Sequence, residues 1–422
     1  MFDPIEYINE PRWHEMSLGL ERIEELLEGL GNPQDRLDFI HVAGTNGKGS
    51  TCSLVASVLQ RSGFRVGMFT SPYIVRFEER IRVDGQDIPY EDLKETTLRV
   101  RSVAERMKSH PTEFELMTAV AFSYFAARSC DIVIAEVGLG GRLDSTNVID
   151  SPLVCAITPI SYDHCGLLGS TLGAIAREKA GIIKEGSRVV SAPQETEAQS
   201  VLRDVAQKKG ALLSFVDPSS IEGNNDSFSY KNLKGLSLSL KGSYQLVNAS
   251  VALEVVFALR EQGWSIDDEA LRSGLREARW PGRFEVIEGQ PSIVIDGGHN
   301  PQGARELAVD LAKTFPGKRV AFIVGVLADK DHAAMLASWV PLASLFVCVD
   351  VPNPRTLAAS ELAAEIEGLR GESSTFAVEV LPDVEDALGF VMDRAASYDV
   401  VCFCGSLYGI GAFKEALASR LP

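Results

Sequence analysis

Along this chain, short apolar runs that end in polar or turn residues alternate with longer stretches of helical period. "DFIHVAG" (38–44) predicts a buried strand, and Ser50 to Arg61 a helix ending at Gly63. "RVGMFTS" (65–71) predicts the next strand. "PYIVRFEERIRVDGQDIP" (72–89) has no helical period and predicts a loop with a hairpin. Helices are predicted over 15–30, 90–108 and 112–127, the first stopped by Gly31-Asn32-Pro33. "DIVIAEVG" and "PLVCAITPI" are further short strands. Strands that are apolar throughout and separated by helices indicate a parallel sheet covered on both faces.

From Ser227 to Leu240 the pattern changes to "SFSYKNLKGLSLSL", whose period of two predicts a small antiparallel flap. Helices follow over 245–262 and 267–276. "EARWPGRFEVIEGQP" is rich in Gly and Pro and marks a domain boundary. After it come strands 292–296, 319–325, 344–350, 376–380 and 399–404, alternating with helices 302–314, 330–338, 358–368 and 384–395 and a last helix. The expected division is an N-terminal α/β domain with a mostly parallel sheet and a flap, 1–282, and a C-terminal α/β domain, 283–422.

Composition narrows the partners. A net charge of -17 argues against nucleic acid or an anionic membrane, because both require a cationic face. The cysteines number seven, are scattered and form no CxxC pair, as expected for free thiols in the cytoplasm. The N-terminus has no basic region followed by an apolar core, so no signal peptide is expected. No apolar run reaches membrane-spanning length.

Candidate chemistry begins at "FIHVAGTNGKGSTCSLVASVL" (39–59). A strand runs into Gly44-Thr45-Asn46-Gly47-Lys48-Gly49-Ser50, and a helix follows. The usual phosphate loop reads GxxxxGK[ST]. Here Val42 replaces the first glycine, and Gly49 displaces the hydroxyl to Ser50. The physics still suits a nucleoside triphosphate. Glycines let backbone N–H groups face anionic oxygens, and the helix start adds its positive end. Lys48 can reach the outer phosphates, and Ser50 can ligate Mg²⁺.

Glu136 ends the strand "DIVIAEVG" at the sheet edge where open α/β folds bind ligands, and it suits a magnesium ligand beside Ser50. "VGLGGR" lacks the GxGxxG spacing of a nicotinamide site. His164 also ends a strand, and Lys179 lies in a helical stretch where it could pair with Glu178 or Glu185. "IVIDGGHNP" places Asp296 and His299 before a helix, as suits contact with phosphate or ribose. Arg76, Arg80 and Arg82 beside Tyr73 and Phe77 suit a flat, anionic substrate. Salt bridges from Glu78 and Glu79 to Arg82 are the alternative.

Seven ordered motifs resemble the folylpolyglutamate and dihydrofolate synthases, relatives of the muramyl-peptide ligases. They are "GTNGKGST", "TSPYIVRFEERI", "EVGLGGRLDSTN", "ITPISYDH", "AIAREKAGIIK", "RWPGRFEV" and "IDGGHNP". The glycine after Lys48 is usual in that family. The resemblance implies a P-loop ATPase-type first domain and a Rossmann-like second one. The active site would lie between them and would need closure. It implies ATP and two Mg²⁺ ions held by Ser50, Glu136, His164 and a carbamylated Lys179. Lys48, His164, Lys179 and Arg283 would be catalytic. Asn248, Arg283, Asp296 and His299 would complete the nucleotide site begun by residues 44–50. The mobile loop carrying Arg76, Phe77 and Arg80 would border the folate. The loop carrying Arg142 and Asp144 would help hold the pterin-bearing substrate.

The expected reaction adds L-glutamate to dihydropteroate, to the glutamate tail of folate, or to both, through an acyl phosphate. The expected form is a monomer acting on small molecules. Two alternatives are a muramyl-type ligase and a P-loop switch protein. The first usually needs an additional N-terminal domain, for which the chain before Gly44 leaves no room. The second, in its GTP form, needs an NKxD, which "ADKD" at 328–331 resembles only superficially.

Overall fold

The computed structural model describes residues 2–10, 19–371 and 375–420. Two compact units emerge. The first comprises the residues up to Ser161, Cys165–Ser239 and Gln245–Arg279. The second comprises Tyr162–His164, Leu240–Tyr244 and the chain from Trp280 onward. A single cut in the sequence therefore does not describe the division, because two short segments group with the second unit.

Eight strands form the main sheet of the first unit: β1 (Phe39–Ala43), β2 (Val66–Phe69), β3 (Ile81–Val83), β4 (Gln86–Asp87), β5 (Ile132–Glu136), β6 (Val154–Ile157), β7 (Arg188–Ser191) and β8 (Leu212–Phe215). Their order is β4-β3-β2-β5-β1-β6-β7-β8. All pairings are parallel except those of β3, which forms the expected hairpin with β4 and runs antiparallel to β2. Every residue of β1 and β5 is buried, as strands covered on both faces require. Helix Lys48–Arg61 follows β1 and packs against helices Gln245–Glu261 and Asp268–Glu277.

The period-two segment forms a separate antiparallel sheet of β9 (Ile221–Asn224), β10 (Ser227–Tyr230) and β11 (Leu233–Leu236). The second unit holds β12 (Glu285–Ile287), β13 (Ser292–Ile295), β14 (Val320–Val324), β15 (Ala343–Cys348), β16 (Ala377–Val380) and β17 (Val400–Cys404), in the order β12-β13-β17-β14-β15-β16. Only β12 is antiparallel. Its core centres on Phe322, which stacks on Phe346 with ring centroids 5.4 Å apart and on Trp339 at 6.2 Å.

Three expected helices are shorter in the structure. The helix predicted over 15–30 appears as Glu21–Gly29, and positions 15–18 lie outside the described residues. Helices predicted to 108 and 395 end at Ala104 and Met392. The helix after β1 starts two residues early, at Lys48, because Gly47 takes the left-handed conformation (φ 85°) and already serves as its N-cap.

Candidate active site

The parallel strands bring their C-terminal ends to one edge of the first unit. Sheet register pairs Val42 with Glu136 and Ala43 with Ile157, so Gly44, Glu136 and Thr158 arrive together. Residues outside the phosphate loop help to fix it. Thr45 and Asn46 donate their N–H groups to the Pro159 carbonyl at 2.9 and 3.3 Å. Thr45 Oγ1 donates to the Ser161 carbonyl and accepts from the Ser161 N–H, both at 3.1 Å.

Two of the loop's glycines are required by geometry. Gly44 has φ 147°, and a Cβ there would sit 1.8 Å from Thr158 Oγ1. At Gly47 a Cβ would sit 2.2 Å from Asn248 Oδ1. Lys48 folds back over the loop. Its Nζ donates to the Thr45 carbonyl at 3.1 Å and lies 3.9 Å from Glu136 Oε1. Glu136 is buried, and its Oε2 accepts from the Ser71 N–H at 3.4 Å. Lys48 and Glu136 therefore come together, and Ser50 is buried in the first turn of the helix that Lys48 begins.

Lys179 ends helix Leu172–Lys179. Its Nζ donates to the Gly44 carbonyl at 2.8 Å, and the residue is buried. Loop 138–147 holds that lysine's helix in place. The Arg142 N–H donates to the Glu178 carbonyl at 2.8 Å, and Asn147 Nδ2 donates to the Gly181 carbonyl at 3.2 Å.

In the same loop Asp144 is buried and serves the loop itself. Oδ1 accepts from Thr146 N–H at 3.0 Å and from Thr146 Oγ1 at 2.5 Å, and Oδ2 accepts from Leu139 N–H at 2.8 Å. Burial pushes its carboxyl above the ordinary range although these hydrogen bonds pull the other way. Asp144 thus shapes the loop that carries it. Arg142 does face solvent, with its guanidinium on Glu178.

The arginine-rich segment is more ordered than a simple loop. Glu79 accepts from the N–H groups of Ile74, Val75 and Arg76 at 2.9, 3.2 and 3.1 Å. Arg80 is buried, with its guanidinium 4.9 Å from the Tyr73 ring centroid and 5.6 Å from that of Phe77. Phe77 is part of the hydrophobic core. Arg76 is exposed and pairs with Asp87, which also takes Arg82 at 2.7 Å.

In the second unit Asp296 ends β13's edge of the sheet and organises its own turn. Oδ1 accepts from Gly298 N–H at 2.7 Å. Oδ2 accepts from Phe284 N–H at 2.8 Å and from Tyr244 Oη at 3.3 Å. Burial raises its carboxyl, opposed by the charge of Arg283 and by those hydrogen bonds. Asn300 caps the following helix by accepting from the Gly303 N–H at 2.9 Å.

Beside it lies a cluster that the sequence did not reveal. Asp163 pairs with Lys330 Nζ at 2.6 Å and His299 Nε2 at 3.6 Å, and it accepts from Asn300 Nδ2 at 3.4 Å. His164 Nε2 is 3.8 Å away. Burial alone would raise the Asp163 carboxyl, but the hydrogen bond from His299 and the charges of His299, His164 and Lys330 hold it far below the usual carboxylate range. His164 itself sits at φ 51°. Its members lay in separate motifs, Asp163 and His164 in "ITPISYDH", His299 in "IDGGHNP" and Lys330 in "ADKD", with nothing to join them.

The donor set fits a divalent cation of the magnesium type. Ser50 and Glu136 offer oxygen, and Mg²⁺ takes one or two carboxylates together with substrate phosphates and water. Among the described residues no group of three His, Cys, Asp or Glu side chains converges as a self-sufficient cage. As an amine, Lys179 is a hydrogen-bond donor and not a ligand.

A phosphate loop with a carboxylate at its side, joined to a second α/β unit, defines a nucleotide-dependent ligase. Residues 42–256 match the Mur ligase middle domain, and residues 282–407 match the Mur ligase glutamate ligase domain. The chain belongs to the folylpolyglutamate synthase and dihydrofolate synthase family of ATP-dependent ligases. It is 38% identical over 419 residues to the dihydrofolate synthase/folylpolyglutamate synthase of Bacillus subtilis, covering 94% of this chain and 95% of that one. It superposes on the structure of E. coli FolC in complex with DHPP and ADP with TM-score 0.89 and 33% identity, covering 99% and 98% of the two chains. A bifunctional folylpolyglutamate synthase/dihydrofolate synthase with Mn, AMPPNP and L-glutamate bound aligns with TM-score 0.87 and 34% identity, covering 99% and 98%.

Proposed function

We propose that this chain uses ATP to activate a carboxylate of dihydropteroate or of a folate glutamate tail and joins it to the amine of L-glutamate. The observation that carries this reading is the meeting of Lys48 and Glu136 at the phosphate loop of a chain that matches a folate ligase over 94% of its length.

A substrate carboxylate oxygen attacks the γ-phosphorus and ADP leaves, giving an acyl phosphate. The glutamate amine then attacks the acyl carbon, phosphate departs, and the nitrogen loses a proton. No protein nucleophile is needed, so positioning and charge neutralisation carry the catalysis. Lys48 neutralises the outer phosphates. Arg283 faces charge developing on the transferred group. Loop residues 44–50 and Asn248 cradle the nucleotide, and the family resemblance gives Asp296 and His299 nucleotide contacts as well. Ser50 and Glu136 would hold a divalent cation, which screens phosphate charge when bound. His164 and a carbamylated Lys179 would hold a second. Arg76, Arg80 and Arg142 offer charge to an anionic acceptor, and Phe77 and Asp144 hold their loops in shape.

The relatives named above are named for folate ligation and not for cell-wall precursors, which favours a folate acceptor over a muramyl one. The test is phosphate release with L-glutamate and, in turn, dihydropteroate, tetrahydrofolate and a UDP-muramyl peptide. Release with both folate acceptors assigns both activities. Release indifferent to the acceptor overturns the ligase reading in favour of a nucleotide switch.

A further inference from the structure

Gln245, the first residue of helix Gln245–Glu261, is completely buried and uses both ends of its amide, one on Ser50 at the phosphate loop and one on Asn248 of its own helix. Nε2 donates to Ser50 Oγ at 3.2 Å. Oε1 accepts from Asn248 Nδ2 at 2.9 Å. With Asn248 donating, the Gln245 oxygen lies at the Asn248 end and the nitrogen faces Ser50. Asn248 in turn lies against Gly47, its Oδ1 where a Cβ would collide. Gly47, Asn248, Gln245 and Ser50 thus close a ring around the first turn of the phosphate-loop helix.

We infer that Gln245 is a positioning residue that aims the Ser50 hydroxyl at the nucleotide-bound divalent cation. This rests on the reading of Ser50 as a metal ligand. A serine hydroxyl has one hydrogen and two lone pairs. The Gln245 N–H occupies one lone pair, leaving the other for the cation and the hydrogen for a phosphate oxygen. Without that donor a serine early in a helix can turn back and donate to a carbonyl three or four residues earlier, here Gly47 or Asn46. Gln245 therefore sets which way the hydroxyl points before the cation arrives. Groups that orient a metal ligand in this way contribute to metal affinity without touching the metal. The spacing Gln245–Asn248 places both amides on one helical face, so the feature is written in "YQLVNAS".

The test compares Ser50→Ala, Gln245→Met and Gln245→Asn in the full-length protein. Methionine keeps the length but has no donor; asparagine is too short to span Ser50 and Asn248. Binding of a non-hydrolysable ATP analogue is titrated with Mg²⁺ and repeated in EDTA. All three variants should require about 10- to 100-fold more Mg²⁺ for half-maximal binding, and in EDTA the two Gln245 variants should bind the analogue as the wild type does. The double variant Ser50→Ala/Gln245→Asn should lose no more than Ser50→Ala alone. If Gln245→Met does not fold, Gln245→Asn decides. A Mg²⁺ requirement raised by Ser50→Ala and not by the Gln245 variants overturns the inference and leaves Ser50 as ligand. Equal loss with and without metal also overturns it, making Gln245 a packing residue. No effect of Ser50→Ala overturns the reading beneath it.

Discussion

The ε-amino group of Lys179 donates to the main-chain carbonyl of Gly44 at 2.8 Å, joining the end of one helix to the first glycine of the phosphate loop. A carbamate forms when the amine nitrogen attacks carbon dioxide and releases a proton. One N–H remains on Nζ, so the bond to Gly44 survives while two carboxylate oxygens are added. Lys179→Ala should lower ligation by at least about 100-fold, the scale of a lost metal ligand or its support. If the residue acts as a carbamate, acetate or formate should restore part of the rate in the variant. Removal of carbon dioxide should also slow the wild-type enzyme until bicarbonate is added. Loss of rate with neither response would make Lys179 a plain cation.

Lys48 bridges the loop carbonyl of Thr45 and the carboxylate of Glu136. Its contact with Glu136 is long at 3.9 Å, and the lysine is partly exposed, so the pair adds little to stability. Its value lies in transition-state charge. Lys48→Ala should cut ligation by roughly 100- to 1,000-fold and leave the unfolding midpoint nearly unchanged. Phosphate release and a thermal melt on the same preparation check both parts. Unchanged amide formation would remove Lys48 from the mechanism.

The order of elements was legible in the sequence because buried parallel strands are apolar throughout and the helices between them are not. "DIVIAEVG" and "IVIDGGHNP" also showed that Glu136 and Asp296 end strands. Other features escaped for physical reasons. β8 is partly exposed and β12 is a three-residue edge strand, so neither makes a long apolar run. The strongly amphipathic helix Thr196–Lys208 could have been read from its spacing and was not. Asp163 and Lys330 are far apart in sequence, and no local pattern announces that one will neutralise the other. Gln245 looked like an ordinary helix residue because its role depends on Ser50, reached only through the fold. Asp144 stood in a motif and was taken for a substrate contact; its burial is a tertiary fact.

His41 lies on β1 beneath the phosphate loop, fully buried, with Nε2 2.8 Å from Thr146 Oγ1. Thr146 spends its proton on Asp144, so His41 must donate and is the neutral Nε2–H tautomer. Burial, aided by the charge of Lys184, lowers its pKa to about 3. In the unfolded chain it returns to about 6.5. Between these values the unfolded state binds the extra proton, so stability is complete above pH 6.5 and falls as pH drops toward 3. From pH 7.5 to pH 5 the loss is about 2 kcal/mol. His41→Gln can keep a donor for Thr146 and cannot titrate, so urea unfolding at the two pH values should show that much less dependence. An equal dependence in both proteins would mean that His41 accepts a proton in the fold.

Lys330 is the nearest positive charge to Asp163, and both side chains are over nine-tenths buried. Removing one partner of such a pair leaves an uncompensated charge, at a cost near 3 kcal/mol in other buried pairs. Lys330→Met should therefore destabilise the second unit by about 3 kcal/mol at pH 7, less whatever His299 and His164 still supply. Asp163 has a depressed folded pKa, so its contribution is present above the ordinary carboxylate value and is lost as pH falls below it. The difference between wild type and variant should accordingly shrink in acid. Asp163→Asn added to Lys330→Met should recover part of the loss at pH 7, since no bare charge is then buried. Chemical unfolding of the three variants at pH 7 measures this directly. A double variant no more stable than Lys330→Met would show that the lysine stabilises the unit through packing of its alkyl chain.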